Sequence, residues 1–343
     1  MVVVILPQLK SGGTEWQTIQ LLKGLATSRS CIAWIYDGSA MNTSLLAALR
    51  AIGNVEVVLG GAAALPNILK RRPKLIISYA INFYLWEVAL KLLSGARLIT
   101  ERRNQYHWFV KERRNCAQEC VRNLLTARVI CNSRTVALRA AEVERFIGDK
   151  ICVVPNALGI RPPEGMSDRG RVISVGNIKA GKGASQVLLA FEGIAAEPVA
   201  SGVTFELFGR MDDPGVLSSV SPDAVAAFYK GERDRHGIFE GAICILHLSE
   251  AEGFPNAVLE AMAHGAVPVL SDIEVHRELF SAAAIYVSDA RGARDVIEHL
   301  LAERAANPGK FEARRRKARE LALGFSESRR VTAYEEIIAD CLH

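Results

Sequence analysis

Short, unbroken runs of β-branched and aliphatic residues recur along almost the whole chain, most of them followed by a stretch with helical spacing, and this alternation leaves few folds open. The runs lie at 1–6, 31–36, 55–59, 75–78, 97–100, 128–131 and 151–154, then at 172–175, 204–208, 242–248, 267–270 and 284–287. Residues 15–26 show the intervening pattern, with Trp16, Ile19, Leu22 and Leu25 at helical spacing. A strand that is apolar on both faces must be covered on both faces. Strands separated by helices pair in parallel through crossovers. The chain is therefore predicted to be α/β, with parallel sheets flanked by helices.

The alternation stutters once, at 158–170 (LGIRPPEGMSDRG), where two prolines, three glycines and several charges make a linker. A length of 343 residues exceeds the roughly 150 of a typical domain. Two halves of similar βα organisation are expected, and doubly wound sheets bind ligands at the carboxyl ends of their strands.

Half the residues are hydrophobic and 23% are charged, which suits a chain with a substantial core and excludes long disordered stretches. The seven cysteines include no Cys-x-x-Cys pair. Cys31, Cys131, Cys152 and Cys244 sit inside apolar runs and read as small buried hydrophobes in a reducing compartment. Cys116 and Cys120 are four apart, with no His at metal-ligand spacing. The opening MVVVILP is too short to act as a secretory leader, and no apolar run reaches the roughly 18 residues of a membrane span. The expectation is a cytoplasmic protein.

Charge is unevenly placed. Between residues 97 and 128, eight basic residues (Arg97, Arg102, Arg103, Lys111, Arg113, Arg114, Arg122 and Arg128) face only Glu101, Glu112 and Glu119, a local excess equal to the net +5 of the whole chain. Such an excess suggests an anionic partner: phosphates, acidic lipid headgroups or nucleic acid. The alternative is a solvated basic helix.

The most informative segment is 249–272, SEAEGFPNAVLEAMAHGAVPVLSD. It reads as a strand end, a tight loop, a helix over 256–264, then Gly265 and another strand. Glu252 and Glu260 stand eight apart, one in the loop and one inside the helix. Gly253 lets a ligand approach the backbone. The amides of Asn256, Ala257 and Val258 are the open donors of a helix start, suited to an anion or a sugar hydroxyl. On spacing alone, two solvated glutamates flanking an ordinary strand–helix connection are the leading reading.

With its context, the segment resembles the signature of the large retaining family of GT-B glycosyltransferases known as family 4. That signature is Glu-x7-Glu in an EGFP…EA setting, matched here by Glu252, Gly253, Phe254, Pro255, Glu260, Ala261 and Gly265. The resemblance implies that Glu252 contacts hydroxyls of the transferred sugar and that Glu260 accepts hydrogen bonds from the donor ribose. It further implies backbone donors at Phe254, Asn256 and Ala257 around sugar and diphosphate.

A second stretch, VISVGNIKAGKG at 172–183, resembles the family's VGRL…KG element, in which Arg and Lys hold the diphosphate. Lys182 matches the lysine. Asn177 stands where the arginine is usual, and Lys179 is near but not at the matching position. A third, LKSGGTE at 9–15, places Gly12 and Gly13 directly after the first strand, where the family's loop lines the cleft. Looser matches are Pro155-Asn156, Gly209-Arg210 in place of a Gly-x-Gly, and Tyr229-Lys230-Gly231 near the base-reading position. Many relatives carry a His after the fifth strand. This chain has Thr100-Glu101-Arg102-Arg103-Asn104, resembling a subgroup with an ER-type motif, which makes Glu101 and Arg102 cleft candidates. His107 reads as an ordinary surface or core histidine.

The fold so implied is GT-B, two Rossmann-like domains facing across a cleft. They are an acceptor domain over 1–157, a nucleotide-sugar donor domain over 158–325, and a terminal helix over 326–343 that crosses back to the first. The activity implied is retaining, metal-independent transfer from a UDP- or GDP-sugar, with no cofactor, to a glycan acceptor that is lipid-linked or membrane-anchored. Glu252, Lys182, Glu101 and Arg102 are the catalytic candidates. Glu260, Gly253, Phe254, Pro255, Asn256, Ala257, Asn177, Gly209 and Lys230 are the donor-binding ones. Asp212-Asp213 before Pro214 reads as turn chemistry, not as a metal motif. The basic run, with Trp86, Tyr106, Trp108 and Phe109 in or near it, points to peripheral contact with an anionic membrane. It has too little aromatic interleaving for nucleic acid. The rival readings are a nucleotide-sugar epimerase or isomerase and a non-catalytic binder of anions or lipid.

Overall fold

The computed structural model describes residues 1–10, 12–39, 41–79, 84–104, 116–233 and 235–342. Two compact units result, Met1–Gly159 with Ser326–His343, and Ile160–Phe325.

The first unit runs β1 (Val2–Leu6), α1 (Gly13–Leu25), β2 (Cys31–Ile35), α2 (Thr43–Arg50), β3 (Val55–Leu59), α3 (Leu65–Lys70), β4 (Leu75–Ser78), α4 (Tyr84–Ser94), β5 (Arg97–Arg102), α5 (Cys116–Leu125), β6 (Arg128–Cys131), α6 (Arg134–Val143) and β7 (Ile151–Val153). Its strands form one parallel sheet in the order β3-β2-β1-β4-β5-β6-β7. Alternate residues of β1 serve opposite faces, as the pleat requires. Val2, Val4 and Leu6 pack with α1, while Val3 and Ile5 pack with Ile68 of α3 and Leu90 of α4. A strand buried on both sides can hold no polar alternation, which is why VVVIL is apolar throughout. Helix starts follow local chemistry: the Asn42 and Ser133 side chains accept from the amides of Leu45 and Val136 at 2.9 and 3.2 Å.

The second unit runs β8 (Arg171–Val175), α7 (Ala184–Ala195), β9 (Thr204–Phe208), α8 (Pro222–Phe228), α9 (Arg235–Ile238), β10 (Ala242–His247), α10 (Asn256–Ala263), β11 (Val267–Ser271), α11 (Glu274–Phe280), β12 (Ile285–Val287), α12 (Ala290–Ala306) and α13 (Pro308–Leu323). Its parallel sheet is ordered β12-β11-β10-β8-β9. The last helix, α14 (Glu327–Leu342), belongs to the first unit, where Tyr334, Ile338 and Cys341 are buried in the same cluster as Val4 and Leu22.

Each sheet has one place where strand order reverses. In the first it lies between β1 and β4, in the second between β10 and β8. Crossovers leave such neighbours in opposite directions, so the loops beyond their carboxyl ends part and open a crevice. The Gly12 loop follows β1. Lys182 follows β8 and Glu252 follows β10.

Candidate active site

In the second unit the loops after β8 and β10 press backbone to backbone. The Glu250 amide donates to the Gly181 carbonyl at 2.9 Å. Gly183 caps α7 with φ +67°, and a Cβ there would lie 2.1 Å from the Leu248 carbonyl oxygen. No side chain fits, so glycine is what permits the approach. The consequence is that Lys182 Nζ lies 2.6 Å from Glu252 Oε1. Gly209 acts similarly beside it: its Cβ would fall 1.9 Å from the Gly176 carbonyl oxygen.

Glu252 also receives the Ser249 hydroxyl at 2.8 Å and His247 Nε2 at 3.0 Å, both on Oε1. Burial pushes this carboxyl up, but His247 and Lys182 outweigh burial and hold it well below the usual carboxylate range. It is ionised at neutral pH. Behind it, His276 Nδ1 meets the Ser271 carbonyl at 2.8 Å, and its ring stands 5.6 Å from that of His247. Burial, then the neighbouring His247, pushes His276 down to about 4, so it is neutral.

Downstream, Gly253, Phe254 and Pro255 are buried, with Phe254 edge-on to Phe325 at 5.7 Å. Pro255 is the N-cap of α10. Of the three amides expected to be open, that of Asn256 donates to the Phe254 carbonyl at 3.0 Å and that of Val258 to the Pro255 carbonyl at 3.1 Å. Each is turned inward by the tight Phe254–Pro255 bend. Among the described residues no acceptor meets the Ala257 amide. Glu260 is buried within α10.

Asn177 is neutral, yet a cation stands near it. Asp212 accepts Asn177 Nδ2 at 2.9 Å and Arg210 Nε at 2.6 Å, so the two side chains share one carboxylate. Asp213 caps the turn at Pro214 through the Gly215 amide at 2.9 Å. Lys230 Nζ binds the Ala227 carbonyl at 2.6 Å at the end of α8, and Tyr229 donates its hydroxyl to the Gly209 carbonyl at 2.8 Å.

In the first unit, Gly12 and Gly13 open α1, but the Glu15 carboxylate folds back to where a Gly12 side chain would be, with Oε2 2.3 Å from an ideal Cβ. A phosphate at this helix start would meet that carboxylate. Glu101 and Arg102, on alternate faces of β5, part company. Arg102 is buried in a two-pronged bridge to Glu144 at 2.5 and 2.6 Å and bonds Asn123 at 3.1 Å. It is built as an internal clamp, which corrects its reading as a cleft residue: its guanidinium is turned to the protein. Glu101 accepts the Tyr334 hydroxyl at 2.6 Å and Arg103 at 2.7 Å. Arg103 lies over the Tyr79 ring at 4.5 Å and reaches Asn156 at 3.3 Å. Arg330 of α14 donates to Gln17 in the same unit at 2.8 Å. Arg103, not Arg102, faces the carboxyl ends of β4 and β7.

The basic run does not form a charged face among the described residues. Arg102 and Arg122 are paired and buried with Glu144 and Glu87, half-buried Arg103 pairs with Glu101, and Arg128 pairs with Asp340. Charge counted along a sequence overlooks partners brought in by folding. Trp86 is partly buried, stacked with Tyr36 against the core cluster. Tyr106, His107, Trp108, Phe109, Lys111, Glu112, Arg113 and Arg114 lie outside the described residues. No helix among those described is long and apolar enough to cross a membrane.

The residues that sequence reasoning missed are His247, Ser249 and His276. Their signal is present but faint, as polar side chains at the end of the apolar run ILHLS and in the first turn of α11.

Residues 169–303 match the family model described as Glycosyl transferases group 1. No curated protein matches the sequence. Among solved structures, Anabaena HepE in complex with UDP and glucose superposes with a TM-score of 0.80 at 15% identity, covering 99% of each chain. A glycosyltransferase from Rickettsia africae gives 0.77 at 14% identity, covering 99% of this chain and 98% of that one. Sucrose-phosphate synthase from Thermosynechococcus elongatus gives 0.75 at 14%, again covering 99% and 98%. The chain therefore has the GT-B glycosyltransferase fold, and its second unit matches the group 1 glycosyl transferase family over residues 169–303.

Proposed function

We propose that this protein is a retaining, metal-independent glycosyltransferase that moves a sugar from a UDP- or GDP-sugar to a glycan acceptor. The observation that carries the reading is the Lys182–Glu252 pair at the reversal point of the second sheet, inside the segment that matches the family. Solved relatives at this fold hold UDP and glucose, or UDP-glucose. That supports a nucleotide sugar as the ligand of the second unit, with the first unit receiving the acceptor.

In this reading the acceptor hydroxyl attacks the anomeric carbon from the side on which the nucleoside diphosphate leaves. The carbon–phosphate-oxygen bond breaks through an oxocarbenium-like state, and the departing phosphate oxygen takes the hydroxyl proton. The task of the protein is to stabilise charge. Lys182 and the Ala257 amide meet the diphosphate, ionised Glu252 accepts a sugar hydroxyl, and Glu260 accepts from the ribose. Arg210 beside Asn177 supplies the second cation. The acceptor is a lipid-linked or membrane-anchored glycan in surface polysaccharide or glycolipid synthesis, met by a cytoplasmic protein at the membrane surface. Support for that last point comes not from the basic run but from exposed Leu85, Leu92 and Leu93 on α4 and Val121 and Leu124 on α5.

The test is nucleotide release from a panel of UDP- and GDP-sugars, with and without glycan acceptors and with EDTA. Acceptor-dependent release in EDTA, with the anomeric configuration of the product retained, is expected. Conversion of the sugar without acceptor would replace this reading by an epimerase, and neither activity by a binding protein.

A further inference from the structure

The three contacts on Glu252 fall on one oxygen. Lys182 Nζ is 2.6 Å, Ser249 Oγ 2.8 Å and His247 Nε2 3.0 Å from Oε1. Ser249 and His247 are buried, and their Oγ and Nε2 are 3.1 Å apart. Proton counting fixes the roles. Ser249 has a single hydroxyl proton, directed to Glu252, so towards His247 its oxygen accepts. The imidazole must then carry its proton on Nε2, shared between the serine oxygen and the carboxylate. The backbone under this clamp is held as well: the Ser271 hydroxyl donates to the Ser249 carbonyl at 2.5 Å, and the neutral His276 ring walls the far side of His247.

We propose that His247 and Ser249 are positioning residues that tether Glu252 through Oε1 and so present Oε2 to the sugar. The inference rests on the reading of Glu252 as the sugar-hydroxyl acceptor. Lys182 is the exchangeable member of the trio. A diphosphate competes for its ammonium, and a carboxylate held by Lys182 alone would be released when the donor arrives. His247 and Ser249 stay, because neither has the reach to follow the phosphate. They keep the carboxylate fixed in the loaded enzyme, where misplacement of a positioned group by about 1 Å costs on the order of a hundredfold in rate.

The experiment uses the full chain and the sugar nucleotide from the UDP/GDP panel that gives the fastest nucleotide release. His247→Leu and Ser249→Ala should lower kcat about ten- to hundredfold, with KM for the donor changed by less than about threefold. His247→Gln, which keeps an N–H near the Nε2 position, should recover most of the loss, as a purely structural role would not require. Nitrogen NMR of histidine-labelled protein should show His247 protonated on Nε2, with that signal shifted in Glu252→Gln. Wild-type turnover in both His247→Leu and Ser249→Ala, while Glu252→Gln is impaired, overturns the clamp and leaves the role of Glu252 intact. Full activity in Glu252→Gln, or no release from any donor by the wild type, overturns the underlying reading and the clamp with it. A His247 that lacks a proton on Nε2 overturns the clamp alone.

Discussion

Replacing Gly183 by alanine tests how the second unit builds its site. Two separable costs follow from the structure. The backbone at 183 has φ +67°, a left-handed conformation that disfavours any Cβ by about 1–2 kcal/mol. In addition, the new carbon would stand 2.1 Å from the Leu248 carbonyl oxygen, so the loops after β8 and β10 must part by roughly 1 Å. That movement breaks the Glu250–Gly181 hydrogen bond, worth about 1 kcal/mol, and draws Lys182 from Glu252. A loss of about 2–3 kcal/mol is expected in the urea unfolding of the affected transition, with turnover down about a hundredfold. Gly202→Ala is the control. Its φ is +74°, but nothing lies within 4 Å of the added carbon, so only the conformational cost of about 1–2 kcal/mol should appear. Equal destabilisation by the two variants, or normal turnover in Gly183→Ala, would refute the claim that a backbone contact sets the Lys182 position.

Arg102→Ala should destabilise the first unit by about 3–5 kcal/mol in urea, because it leaves Glu144 buried without its counter-charge; a change below about 1 kcal/mol would return Arg102 to the list of cleft residues. Glu260→Ala should weaken UDP or GDP binding about ten- to hundredfold by calorimetry, and unchanged affinity would remove its ribose role. Acid should destabilise the second unit through His276. Its folded-state value of about 4 lies below the ordinary 6.5, so the neutral form is favoured, its stabilisation is complete above pH 6.5, and it is lost as pH falls towards 4. The stability difference between the wild type and His276→Phe should shrink by on the order of 3 kcal/mol across that window, and a pH-independent difference would contradict the assignment.

The alternation of apolar runs and helices was legible because periodicity is local. All twelve runs are strands, and VVVIL is uniformly apolar because both its faces are covered. Glu252 and Lys182 each stood out within its own short pattern of consecutive residues, EGFP at 252–255 and GNIKAGKG at 176–183. The described part of the basic run reads differently once folded, because several arginines find carboxylates far along the chain: Glu144 for Arg102, Glu87 for Arg122, Asp340 for Arg128. The two arginines after Thr100 are neighbours in sequence, yet the β-pleat sends one into the protein and leaves the other over Tyr79.

By itself, then, the sequence determined the parallel α/β layers and the two loops in which Lys182 and Glu252 reside, since each follows from residues within a few positions of one another. Only the tertiary structure decided that Lys182 and Glu252 touch, that His247 and Ser249 hold the same oxygen, and that Arg102 is a clamp while Arg103 is not. The reason is that strand order and backbone contact join residues far apart in the chain, 70 positions in the Lys182–Glu252 bond. The energies that select those contacts come from burial and charge pairing, which exist only once the chain has closed on itself.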